Sequence, residues 1–311
     1  MNIADLRLGR WQDVLADIPD GSVRLVLTSP PYDNARTYEG TCEPVDFDEL
    51  ATFFLRVLCP GGVVDMVLDG AVDDGVQSTT PYEVICSWAK KPGWRLLQVL
   101  AYGRRGAPGA YPGRFRKDHE PRIVMVKDGA RHVCEKDRIA EAAKSDLGRA
   151  VGRASARRRD GSAETFGIAA VSGNRREVRS IAHRGSFWDY GMVGHGQDPS
   201  ADTGHPATFA EAFALDAVNV WSNPGDLVVD PFAGSCTVGK AFQMLGRRFI
   251  GAERVGPCER CGGGFPERCK HGRLDYYSIG MRRLGDYATC DRAAQHAAEQ
   301  VGQAMLFGGA R

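Results

Sequence analysis

No stretch of this 311-residue chain is apolar for long enough to cross a bilayer. A mean hydropathy of −0.31, with 43% apolar and 25% charged residues, excludes a wholly disordered chain as well. Net charge is nearly missing too, since 40 Lys and Arg stand against 39 Asp and Glu. Met1 to Arg7 lack the cationic flank and apolar run of a secretory leader, so the expected location is the cytoplasm. Also absent are the Gly-x-Gly-x-x-Gly of dinucleotide binding, the Gly-Lys-Ser/Thr ending of a phosphate loop and the His-x-Glu half of the zinc nucleobase-deaminase signature, and each absence removes an enzyme class. What remains is a chain of one large or two modest domains, able to build a core without staples. Its nine cysteines, an odd number, read as reduced thiols with room for a metal cluster.

The neutral total conceals a skewed distribution. Residues 103–184 hold 20 Lys and Arg and 10 Asp and Glu, a net +10, which leaves the rest of the chain at −9. A basic segment in an otherwise acidic chain suits a polyanion; a solvated basic loop is the plainer alternative. Hydrophobic spacing predicts helices over 11–18, 47–58, 81–90, 207–221 and 237–245, with strands over 22–28, 63–68, 94–102, 122–127, 227–232 and 248–253. This alternation argues an α/β sheet. Between 128 and 204 the periodicity fades while Gly, Arg and Ser rise, which predicts an irregular module.

Two predicted strand ends carry chemistry. Asp230-Pro231-Phe232-Ala233-Gly234-Ser235-Cys236-Thr237 ends a strand and opens a helix, where small residues let the backbone and the helix amides approach a ligand. Its acidic start repels phosphate and suits a cationic cofactor. Glu253 ends the next strand of the βαβ unit, where a carboxylate accepts hydrogen bonds from ribose hydroxyls. At the other strand end, Thr28-Ser29-Pro30-Pro31-Tyr32 offers a hydroxyl, a proline carbonyl free to accept and a flat ring, together suited to a planar ligand with an amino group.

These two segments resemble the catalytic and S-adenosylmethionine motifs of DNA amino-methyltransferases, and His205-Pro206-Ala207-Thr208-Phe209 is similar to a further family motif lining the cofactor pocket. Catalytic motif first and cofactor motif late is the permuted order of the beta group. The resemblance covers roughly residues 5–127 and 186–285. It implies a Rossmann-like methyltransferase fold, a seven-stranded mostly parallel sheet with one reversed strand plus an inserted recognition region. It also implies a division into 1–127 (catalytic-motif half), 128–204 (basic target recognition) and 205–311 (cofactor half, with a Cys-rich insertion at 256–273). It further implies base flipping in double-stranded DNA, with Ser29, Pro30, Pro31 and Tyr32 catalytic. Thr28, His205, Thr208, Asp230, Pro231, Phe232, Ala233, Gly234, Ser235, Thr237 and Glu253 would bind the cofactor, and Arg157, Arg158, Arg159, Arg175 and Arg176 would meet DNA. A serine at position 29 is commoner among N4-cytosine than N6-adenine enzymes, so N4 of cytosine is favoured and adenine N6 is the alternative. A non-catalytic DNA-binding regulator on the same fold is the non-enzyme alternative. The expected setting is a bacterial or phage-infected cell, with the enzyme solitary or in a restriction-modification system.

The chain departs from the family pattern in three places. Gly9-Arg10 stands where Gly-Asp is usual, Cys236 stands where glycine is usual, and about twenty residues follow Val255 before the next helix. That insertion contains Cys258-x2-Cys261-x7-Cys269-x-His271, a thiolate and imidazole set suited to a structural zinc; a reduced, Gly-rich cysteine loop is the alternative. Pro257-Cys258-Glu259-Arg260-Cys261 also matches the second half of the deaminase signature, and Pro257-Cys258 the Pro-Cys of C5-cytosine methyltransferases, but its place beyond the cofactor motif in a cysteine cluster favours ligation. The tail, Gln303-Ala304-Met305-Leu306-Phe307, resembles peptides that dock on bacterial sliding clamps, with packing on its own domain as the alternative.

Overall fold

The computed structural model describes residues 4–31, 44–104, 113–142, 154–157, 162–166, 181–191, 210–256, 260–262, 268–270 and 274–288. Contacts divide the chain into two compact units, one formed by residues up to Glu135 with those from Ser186 onward, the other by Lys136–Gly185.

The first unit is built on a sheet of eight strands: β1 (Ala4–Leu8), β2 (Val23–Thr28), β3 (Leu58–Val67), β4 (Trp94–Gly103), β5 (His119–Lys127), β6 (Phe187–Asp189), β7 (Leu227–Asp230) and β8 (Arg248–Glu253). Their order is β1-β8-β7-β2-β3-β5-β4-β6. Neighbours run parallel except β5, which is antiparallel to both β3 and β4, so the sheet has the one reversed strand expected. The family's seven strands are joined by an eighth, the three-residue β6, parallel to β4 over Ala101–Gly103.

Six helices accompany the sheet among the described residues: α1 (Trp11–Val14), α2 (Phe47–Val57), α3 (Thr80–Lys90), α4 (Glu211–Trp221), α5 (Thr237–Met244) and α6 (Tyr276–Ala288). The α2 helix starts at Asp46, whose side chain accepts from the amides of Asp48 (2.9 Å) and Glu49 (3.0 Å). It buries Leu50, Phe54 and Val57 on one face, each fully buried apolar side chain contributing about 1.5–3 kcal/mol. The chain then passes directly into β3, five residues earlier than predicted, because Pro60-Gly61-Gly62 runs within the strand instead of preceding it. Gly61, at φ +73°, permits this; a Cβ there would lie 2.7 Å from the Arg131 carbonyl oxygen. The predicted helix over 11–18 stops at Val14, whose carbonyl accepts from the Arg7 guanidinium at 2.5 Å.

Alternation sorts the strands between two faces. Val64 and Met66 of β3, Ile123 and Met125 of β5, and Val229 of β7 join one core with α2 and α3. Asp65 and Arg122 face the other side, toward Trp221 and Phe213 of α4. From the adjacent strands β7 and β2 the chain winds in opposite directions, through α5 to β8 and through α2 to β3. Right-handed crossovers then place α5 and α2 on opposite faces and leave a crevice at the carboxyl ends of β7 and β2.

The second unit contains a 3-10 turn at Lys136–Ile139 and two antiparallel ribbons, Glu141–Ala142 with Ile181–Ala182 and Ala154–Arg157 with Ala163–Phe166. The stretch predicted to be irregular therefore has local order. Among the described residues no helix is long and apolar enough to cross a membrane.

Candidate active site at the carboxyl edge of the sheet

Because β8, β7 and β2 are parallel neighbours, their last residues, Glu253, Asp230 and Thr28, share one edge. Thr28 and Asp230, 202 residues apart in sequence, are joined directly: the threonine hydroxyl donates to Asp230 Oδ1 at 2.7 Å. The Phe232 amide donates to the same oxygen at 3.1 Å. Asp230 is only 2% exposed, and burial pushes its carboxyl up to about 7 against these two hydrogen bonds. Glu253, 8% exposed, is likewise pushed up to about 7 by burial, with neighbouring Asp230 adding to the rise while the amides of Val255 and Gly234 oppose it. The Val255 amide lies 2.6 Å from Glu253 Oε1. Two buried carboxyls without an ion-pair partner among the described residues are suited to hydroxyl or ammonium donors and to a cation, and unsuited to phosphate.

The turn after Asp230 is drawn in by backbone bonds from Ala233 N to Ala252 O (2.8 Å) and from Cys236 N to Ala233 O (2.7 Å). Cys236, the residue in place of glycine, adopts φ 60° and ψ 37°. The left-handed geometry that glycine would supply is therefore kept, at a cost of about 1–2 kcal/mol for a residue with a side chain. Its buried thiol, pushed up by desolvation, is accommodated because two neighbours are glycines. A Cβ on Gly239 would collide with Cys236 Sγ, and one on Gly280 would lie 3.0 Å from Cys236 Cβ.

Ser29, Pro30 and Pro31 leave β2 at the same edge, with Pro30 buried and the other two half-buried. Thr28, Asp230, Pro231, Phe232, Ala233, Gly234, Ser235, Thr237 and Glu253 therefore lie along one edge of the sheet with the Ser29–Pro31 segment. Gly9 lies at that edge, donating to the Glu253 carbonyl at 2.9 Å, and exposed Arg10 follows it. Tyr32, His205 and Thr208 lie outside the described residues, as do Arg158, Arg159, Arg175, Arg176 and Gln303 to Phe307; Arg157 is described as part of a ribbon strand. Of the proposed zinc ligands, Cys261 is exposed and Cys269 half-buried, whereas Cys258 and His271 lie outside the described residues. Among the described residues no cluster of three or more His, Cys, Asp or Glu could hold a metal ion.

Two features escaped the sequence reading. Arg283 of α6 reaches back to the turn and donates to Ser235 O (2.8 Å), Ser235 Oγ (3.2 Å) and Thr237 Oγ1 (2.9 Å). On the far side of β2, fully buried Arg122 grips Asp65 with two nitrogens, and Trp221 Nε1 donates to the same carboxylate at 2.7 Å. A lone charge in each of two apolar strands, Val63 to Val67 and Ile123 to Val126 with its flank, was the available signal for the second feature. The first had none.

Comparison with known proteins bears on this edge. The profile of the DNA methylase family of N6/N4 type matches residues 23–255. The orphan methyltransferase M.BamHII of Bacillus amyloliquefaciens is 28% identical over 242 residues, covering 76% of this chain and 86% of that protein. The DNA adenine methyltransferase YhdJ of Escherichia coli is 24% identical over 295 residues, 93% of this chain and 84% of that one. Among solved structures, the cytosine-N4-specific PvuII DNA methyltransferase shares the fold with a TM-score of 0.58 at 16% identity, over 95% of this chain and 93% of that one.

Proposed function

Since the chain belongs to the N6/N4 DNA methylase family, whose members are S-adenosylmethionine-dependent enzymes, we propose that it methylates the exocyclic amine of a flipped base in double-stranded DNA, N4 of cytosine in preference to N6 of adenine. The observation that carries this reading is the 2.7 Å bond between Thr28 and Asp230, which brings the catalytic and cofactor motifs to adjacent strand ends. The order of these motifs along the chain supports placing it in the beta group.

The residues present fit S-adenosylmethionine. Buried Glu253 and Asp230 offer acceptors to hydroxyl and ammonium groups and disfavour phosphate, and the left-handed turn at Cys236 aims the start of α5 at the crevice. Bound there, the cofactor supplies a sulfonium methyl group. The Ser29 hydroxyl and the Pro30 carbonyl then accept from the target amine and localise its lone pair, and Tyr32 stacks on the extruded base. No enzyme nucleophile is required.

Ser29 supports cytosine; similarity to a protein named as an adenine methyltransferase supports the alternative. Mass spectrometry of nucleosides from DNA of cells expressing the chain separates them. N4-methylcytosine is expected, N6-methyladenine would transfer the proposal to adenine, and C5-methylcytosine alone would overturn the mechanism. Absence of any methylation would favour a non-catalytic regulator.

The basic unit, with 12 Lys and Arg against 6 Asp and Glu in residues 136–185, is proposed as the recognition region, carrying the five candidate arginines. The bacterial relatives support a bacterial cytoplasm. A structural zinc at Cys258, Cys261, Cys269 and His271 predicts one metal per chain by elemental analysis, and a clamp-docking tail predicts that removing residues 303–311 abolishes clamp pull-down.

A further inference from the structure

Arg283 occupies an unusual place for a cation. Its three contacts on Ser235 and Thr237 set it beside the N-terminus of α5, where the helix dipole is positive and a guanidinium is disfavoured. Helix stability does not account for it. Among the described residues Glu211 Oε2 lies 3.9 Å from the guanidinium and also accepts from Lys240 at 2.7 Å. What the guanidinium does hold is the turn at Cys236, which with Asp74 is one of two residues bearing a side chain at positive φ among the described residues. Three residues before Arg283 on the same helix, α6 packs through Gly280, whose absent side chain lets Cys236 Cβ and the Leu6 side chain approach.

We infer that Arg283 is a positioning residue that locks the cofactor turn from the α6 side, donating to the Ser235 carbonyl and to the hydroxyl oxygens of Ser235 and Thr237. This rests on the cofactor reading above. The α6 helix thereby holds the amide-bearing turn in its binding geometry before the cofactor arrives, so that binding does not bear the cost of ordering it. Glu211 extends the clamp to the start of α4, directly after the segment His205 to Phe209.

All three contacts come from a single nitrogen, Nη1. A lysine ammonium carries three donors on one nitrogen and can reproduce them, whereas methionine keeps the apolar stem and none of the donors. Calorimetry with S-adenosylmethionine and steady-state kinetics on the full chain should therefore show Arg283→Met weakening the cofactor Kd and raising its KM about tenfold. Turnover at saturating cofactor should stay within about twofold, because the residue touches no reacting atom. Arg283→Lys should recover to within about threefold of the wild type, a rescue that a merely structural arginine would not give. Should the methionine variant fail to fold, Glu211→Gln leaves Arg283 in place but weakens the carboxylate that steadies it, and should cost about threefold in Kd. A folded Arg283→Met variant that binds like the wild type, or a lysine variant as impaired as the methionine one, would overturn the inference. Failure of the wild type itself to bind S-adenosylmethionine would instead count against the functional reading.

Discussion

Asp65 in β3 and Asp230 in β7 are buried carboxyls on strands two places apart in the same sheet, and their surroundings differ in one respect. Asp65 meets a cation: Arg122 donates to it through Nε at 2.6 Å and through a second nitrogen, and Trp221 adds a third donor. Aromatic faces close over the guanidinium, with Trp188 at 4.0 Å and Phe213 at 4.9 Å from it. Among the described residues Asp230 meets only a hydroxyl and an amide, with Glu253 beside it as a second acid that meets no cation. The first arrangement balances its charge internally and ties β3, β5 and α4 together. The second leaves acceptor capacity and latent negative charge at a strand end, where a ligand can use both. Burial of an acid thus does not by itself mark a functional site; burial without a cation does.

The largest effect that could break this comparison is on stability. Arg122→Met leaves Asp65 buried beside Trp221 without its counter-charge and should cost about 3–5 kcal/mol in urea unfolding. Replacing Asp65 with leucine in the same chain should return part of the loss. A single Arg122 variant as stable as the wild type would remove the distinction between the two acids.

Asp230→Asn and Glu253→Gln should do the converse. Neither removes a partner from a buried cation, so neither should destabilise the fold by more than about 1 kcal/mol, while S-adenosylmethionine affinity should fall by about ten- to a hundredfold in calorimetry. Unchanged affinity in both would refute the cofactor site.

The pH response sharpens the same contrast. Both acids are held up to about 7 in the folded chain. Their unfolded forms ionise near the ordinary carboxylate value of about 4. Between those limits the unfolded chain has lost protons that the folded one retains, so this contribution to ligand-free stability is full below about pH 4. It declines as pH rises to about 7 and is flat above. Comparing melting temperature against pH for the wild type and Asp230→Asn isolates it, and the variant should lose part of the downward slope. Cofactor affinity should run the opposite way, rising through pH 7, because a cationic ligand favours the ionised carboxylates.

The smallest effect concerns the basic unit. Neutralising Arg157, Arg158 and Arg159 together should flatten the salt dependence of DNA binding, by about 0.9 in log–log slope for each phosphate that no longer meets a cation. An unaltered slope would place the cluster off the DNA.

The strand ends were legible in the sequence because periodicity and punctuation agree there. In β7, Leu227 to Asp230 is a continuous apolar run that stops at an acid and a proline, and Thr237 to Met244 then turns helical. The edge strands β1 and β6 are not legible from the residues, since five and three residues of mixed polarity carry little pattern. At Cys236 local chemistry points away from the observed backbone: only the tertiary fit beside Gly239 and Gly280 keeps a side chain in left-handed geometry. Arg283 lies 46 residues from Thr237 and 48 from Ser235, and nothing in its own helix signals that contact. Sheet order, which makes neighbours of β2 and β7, is likewise invisible to spacing alone.

Whether the Thr28–Asp230 edge is one active site acting on DNA is tested most directly by transfer of labelled methyl from S-adenosylmethionine to mixed double-stranded DNA. The wild type and Ser29→Ala are compared, with cofactor affinity measured on the same samples. The wild type should place label on an exocyclic amine, and the variant should bind cofactor normally while transfer falls by about a hundredfold. A wild type that binds the cofactor yet labels no DNA, or a Ser29→Ala variant that transfers undiminished, would contradict it.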